Sequence, residues 1–146
     1  MKTLITGVPG WLGNRLLGVL TDPENELNKS FNTHTDRDIV CIVLPNLIDK
    51  LPRHARTTYV AADITKPETL LGKLDGIDTI FHVAGIIHPK NTRQLYDINT
   101  DGTKNLLDEA IRAGVKRLVF ISSNSVAGIG KPGQLFNEND PYNPYL

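Results

Sequence analysis

The chain has a single cysteine, Cys41, so no internal disulfide can form and packing must hold the fold. It also lacks net charge, because 16 Lys and Arg balance 16 Asp and Glu. That removes any general attraction to nucleic acid or an anionic membrane. No apolar run approaches the ~20 residues that cross a bilayer. The opening stretch "MKTLITGVPGWLGNRLLGVL" imitates a secretory signal, with a lysine and then apolar residues. Gly7, Pro9, Gly10 and Gly13 break that run, and Asn14-Arg15 stand where a small-residue cleavage site should approach. His34, His54, His82 and His88 show no ligand spacing with one another or with Cys41, so no metal site is expected. These absences suggest a cytoplasmic protein with no membrane or nucleic-acid partner.

What is present fits one globular domain. The 146 residues are 40% apolar, enough for a core that needs no staples. Short apolar runs alternate with helical patterns. "KTLITG", "IVCIVLP", "ARTTYVAAD", "DTIFHVAG" and "VKRLVFISS" read as strands, and their continuous apolar character suits a sheet buried on both faces. "WLGNRLLGVL" and "TRQLYDINTDGTKNLLDEAIRAG" read as helices, the second capped by Gly114. "KPETLLGKLDG" reads as a short helix with Thr65 as N-cap, and residues 21–38 as a polar surface insertion without a period. The alternation predicts an α/β fold, a doubly wound parallel sheet of Rossmann type. Cys41, inside an apolar strand, is expected in the core.

"TGVPGWLG" sets Gly7, Gly10 and Gly13 between the first strand and the first helix. A helix N-terminus reached by such a turn presents unpaired N–H groups to a pyrophosphate. Gly7 permits the tight turn, Gly10 close approach by phosphate, and Gly13 packing of helix on strand. A tight strand-to-helix turn with no ligand uses the same residues, but the surrounding pattern favours binding. No Gly-Lys-Ser/Thr follows, which excludes a P-loop. NAD sites usually have Asp or Glu at the end of the second strand, and NADP sites an arginine nearby. Leu44, Pro45 and Asn46 provide neither, and Arg53 reads as a solvated loop charge, so NAD or NADP stays open.

Six segments in register resemble the extended short-chain dehydrogenases/reductases, the family of NAD-dependent epimerases and dehydratases. "TGVPGWLG" resembles its TGxxGxxG loop, with Trp11 as a packing aromatic in place of the usual phenylalanine and Leu12 beside it. "AADIT" is similar to the segment after strand three, which implies that Asp63, next to Ile64, bonds the adenine amino group. "FHVAG" implies that Val83, Ala84 and Gly85 line the cofactor. "INTDGTKNLLDEA" puts Asn99 in the active-site region, where it could instead be structural. "KRLVFISSNSVAG" implies that Ser123 is the catalytic serine, although Ala127 stands where the family usually has tyrosine. "FNENDPYNPYL" implies that Tyr145 is the tyrosine that begins Y-x-x-x-K.

The resemblance implies hydride transfer with a nicotinamide cofactor, a nucleotide-sugar or related carbonyl/hydroxyl substrate, and a strand order of 3-2-1-4-5-6. An unperturbed phenol titrates near ~10, so the tyrosine needs the family's lysine, one helical turn further on, to act as a base. That lysine would lie beyond Leu146. The expectation is therefore a dinucleotide-binding domain, partial on its C-terminal side, with the substrate domain absent and "RLVFIS" left on an edge. Such a piece would be inactive alone, and a homodimer is possible at full length. The rival expectation is a non-catalytic NAD(P)-binding regulatory or interaction protein of the same fold.

Overall fold

The computed structural model describes residues 1–31 and 37–143. Five parallel strands form one sheet: β1 (Lys2–Thr6), β2 (Asp38–Val43), β3 (Thr57–Ala61), β4 (Thr79–His82) and β5 (Arg117–Phe120). Their order is β3-β2-β1-β4-β5, the expected 3-2-1-4-5 part of the predicted sheet. The register pairs Thr6 with both Ile42 and His82, so the C-terminal ends of the three central strands lie level. The order reverses at β1, which opens a crevice at those ends.

Side chains alternate between the two faces of the sheet. Leu4, Val40, Ile42 and Ile80 pack on one face with Leu70, Leu74, Leu106 and Ala110. Ile5, Ile39, Cys41 and Val43 pack on the other with Leu17 and Leu20 of helix α1 (Trp11–Thr21). Both faces are therefore covered, and this is why the strands read as unbroken apolar runs. Cys41 is fully buried, and burial pushes its thiol up to about 12.

Two local expectations are corrected. Residues 21–38 contain a helix, α2 (Glu26–Phe31), although 32–36 lie outside the described residues. Asn28 anchors it by donating to the carbonyls of Val19 and Asp22, a polar tether with no apolar period to betray it. "KPETLLGKLDG" forms one 3-10 turn, Pro67–Thr69, and then turns rather than a helix. Its N-cap is Lys66, because the Thr65 hydroxyl is committed to Asp63. Gly72 and Gly76 then take φ of +70° and +74°, which a right-handed helix cannot hold.

The long helix is continuous but not uniform. It runs through α3 (Thr92–Leu95), a π-helical turn (Tyr96–Asp101) and α4 (Gly102–Arg112). Asn91 caps it by accepting from Gln94 N–H, and Gly114 follows its end with φ +71°. Strand β5 lies at one edge of the sheet, with Val119 and Phe120, and Ile121 just beyond, exposed.

Candidate functional site

The crevice is built from the strand ends. Gly7 leaves β1 with φ +89°, and a Cβ there would stand 2.7 Å from the Ala84 nitrogen. Gly10 would bring a Cβ within 2.7 Å of the Gly7 oxygen, and at Gly13 it would collide with that same oxygen. All three glycines are thus required by backbone atoms, which cannot swing away as a side chain can. Gly10 also caps α1 with no side-chain oxygen, and no acidic residue occupies the first turn. The N–H groups at the start of the helix therefore face the crevice with the favourable end of the helix dipole.

A cavity of about 450 Å³ sits over this loop. Its walls include Gly7 and Gly10, the β2 exit at Leu44 and Leu47, Asp63 and Ile64 after β3, and Ala84 and Gly85 after β4. Six of the ten expected cofactor residues (Gly7, Gly10, Asp63, Ile64, Ala84 and Gly85) thus border one space. Gly13 supports the loop from behind, and Val83 and Leu12 are half-buried beside it. Trp11 does not pack as expected: it is 84% exposed, because the first turn of α1 points its ring away from the sheet. Asp63 is held in place by its neighbour, its Oδ1 accepting from Thr65 N–H at 3.0 Å and the Thr65 hydroxyl at 2.8 Å.

A second cavity of about 500 Å³ adjoins the first. Its lining mixes the apolar Ile86, Ile87 and Leu95 with the polar Tyr96, Asn99, Thr100, Ser123 and Ser125. Ser123 Oγ lies 2.9 Å from Ser125 Oγ and accepts from Ser125 N–H at 3.2 Å. Asn99 grips Ile86 twice: its Oδ1 accepts from Ile86 N–H at 2.8 Å, and its Nδ2 donates to Ile86 O at 2.9 Å. Ile86 borders both cavities, so Asn99 fixes the wall between them. Tyr145 lies outside the described residues.

Beneath the wall runs a buried polar chain that the motif reading did not assign. His82 is fully buried. Its Nδ1 lies 2.7 Å from Thr6 Oγ1, and its Nε2 lies 2.9 Å from Thr103 Oγ1. The Thr103 hydroxyl donates to the Asn99 carbonyl at 2.7 Å. With that proton committed, Thr103 accepts from His82 Nε2–H, which leaves Nδ1 to accept from Thr6. The Thr6 oxygen in turn accepts from Val83 and Ala84 N–H. Burial lowers the His82 pKa, consistent with a neutral ring. Thr6 could have been suspected from its place before Gly7. Thr103, in α4, lies within "INTDGTKNLLDEA", but that segment gave no role to its contact with His82.

The model of the 3-beta hydroxysteroid dehydrogenase/isomerase family matches residues 4–145. The chain belongs to that family. It is 36% identical, over 97% of its length, to a 3 beta-hydroxysteroid dehydrogenase/Delta 5-->4-isomerase of Mycobacterium tuberculosis, of which it covers 36%. It is 32% identical, again over 97%, to a 3-beta-hydroxysteroid dehydrogenase of Mycolicibacterium neoaurum, of which it covers 37%. Among solved structures it is similar to a mutant uronate dehydrogenase of Agrobacterium tumefaciens in complex with NAD. There the identity is 26%, the TM-score 0.77, and the match covers 98% of this chain and 48% of that one. The family is one of the extended short-chain dehydrogenases/reductases, as the resemblance implied. The chain spans about two fifths of the length of the curated relatives it matches. Among the described residues, no helix is long and apolar enough to cross a membrane.

Proposed function

We propose that the protein, at the full length of its relatives, oxidises a secondary alcohol by passing hydride to a nicotinamide dinucleotide. One observation carries this reading: the glycine-floored cavity and the Ser123 cavity meet at Ile86, the residue that Asn99 holds. That is the adjacency hydride transfer requires, with cofactor on one side and carbinol on the other.

The first cavity fits the cofactor because its floor has space only where glycine leaves it. Gly7, Gly10 and the N–H groups of Trp11, Leu12 and Gly13 would hold the pyrophosphate. Asp63 would take the adenine amino group, with Ile64 beside it, and Val83, Ala84 and Gly85 would flank the nicotinamide half. When bound, the cofactor supplies the hydride acceptor. Ser123 would donate a hydrogen bond to the reacting oxygen, and Tyr145 would take its proton as the carbinol C–H bond breaks. Asn99 acts by keeping the partition in place.

For substrate we favour a 3β-hydroxysteroid. The support is the family, its two mycobacterial relatives, and a second cavity lined by the apolar Ile86, Ile87 and Leu95 as well as the hydroxyls of Thr100, Ser123 and Ser125. A nucleotide sugar or uronate is the second reading, favoured by the uronate dehydrogenase likeness and by the Ser123–Ser125 pair, which offers two hydroxyls to a polyol. The test is to incubate the full-length protein with each substrate class and either cofactor. Cofactor reduction with the steroid is expected. Reduction with sugars alone would transfer the assignment, and reduction with neither would overturn the oxidoreductase reading.

A further inference from the structure

The cofactor cavity has an uncharged ribose end. Discrimination between the two dinucleotides normally depends on the exit of β2. A carboxylate there bonds the ribose 2′-hydroxyl and repels a 2′-phosphate, whereas an arginine attracts that phosphate. In this protein the exit is Leu44, Pro45, Asn46 and Leu47, and Leu44 and Leu47 face the cavity. Pro45 has no N–H to offer a phosphate, and the Leu47 N–H is already given to the Leu44 carbonyl at 2.9 Å. Among the described residues, the one charged side chain along the cavity walls is Asp63, beyond β3, and its Oδ1 is engaged by Thr65.

Resting on the cofactor reading above, we propose that this protein accepts NAD and NADP with nearly equal affinity, because Leu44 stands where a discriminating charge would act. Among the described residues, those of the β2 exit that line the cavity, Leu44 and Leu47, carry no charge to penalise the extra phosphate or to reward it. A like charge set against a phosphate costs several kcal/mol, which converts to a preference well above about tenfold. Leucine in that place forfeits this preference in both directions.

Titration calorimetry on the full-length protein with NAD+ and NADP+, separately, tests the proposal. The expected dissociation constants agree within about fivefold. In L44D, NADP+ should weaken and the ratio should move at least about tenfold toward NAD+. A wild-type preference above fivefold in either direction overturns the proposal while leaving dinucleotide binding intact. An unchanged ratio in a folded L44D protein that still binds NAD+ overturns the assignment to Leu44. Failure of both dinucleotides to bind the wild type overturns the cofactor reading itself.

Discussion

The hydroxyl of Thr6, the last residue of β1, lies 2.7 Å from Nδ1 of His82, the last residue of β4. The same oxygen accepts from Val83 and Ala84 N–H. One threonine thus ties the strand that feeds the glycine loop to the backbone expected to flank the nicotinamide. T6V keeps the shape and removes the hydroxyl, leaving a buried imidazole nitrogen and two N–H groups without it. The expected loss of stability is about 1–3 kcal/mol, read as a lower urea midpoint at unchanged slope.

The pH dependence of stability should carry the mark of His82. Its folded pKa is lowered from the ordinary 6.5 by burial, so the unfolded chain takes up the proton first. Its contribution is complete above the unfolded value and declines as pH falls below about 6.5 toward the depressed folded value. The slope for one such proton is at most about 1.4 kcal/mol per pH unit. Urea melts of the wild type and H82Q across that window should show a shallower slope in the variant. Parallel slopes would mean that His82 does not titrate differently in the two states.

Gly13 offers a test of the glycine floor that is separate from the chemistry. A Cβ there collides with the Gly7 carbonyl, whereas at Gly18, one and a half turns along the same helix, it meets nothing within 4 Å. G13A should therefore weaken dinucleotide binding by about tenfold or more, because the loop must shift to admit the methyl. G18A should bind as the wild type does and be slightly more stable, by about 0.5–1 kcal/mol. Equal affinities in the two variants would show that the loop does not shape the site.

S123A should separate binding from turnover. Ser123 borders the second cavity and not the first, so cofactor affinity should stay unchanged in the full-length protein. Loss of a donor aimed at the reacting oxygen should lower kcat/KM by about a hundredfold or more. A variant with wild-type turnover would remove Ser123 from the mechanism.

The sheet was legible because its signals are local and redundant. Ile39 to Val43 could only be a strand covered on both faces, and Gly7, Gly10 and Gly13 are dictated by backbone atoms that tolerate nothing larger. What escaped depends on contacts distant in sequence. Helix α2 is secured by one amide reaching back to Val19 and Asp22. The turn after Pro67 closes as it does partly because Glu109, far along the chain, accepts from Gly72 N–H at 2.8 Å. Arg112 holds that carboxylate below its usual range and also reaches Asp75. The Thr6–His82–Thr103–Asn99 chain joins residues from two strands, the π-helical turn and α4, and no spacing rule brings those together. Trp11 was misread because an aromatic in a helix's first turn looks like packing until the helix is oriented.

The most direct test of hydride transfer is to follow the atom itself. A 3β-hydroxysteroid carrying deuterium in place of hydrogen on the carbinol carbon would be incubated with the full-length protein and oxidised cofactor, and the recovered dinucleotide weighed by mass spectrometry. The account predicts reduced cofactor one mass unit heavier, formed together with the ketone and formed at least about a hundredfold more slowly in S123A. Ketone without deuterium in the cofactor, or no ketone from a protein that binds the dinucleotide, would contradict it.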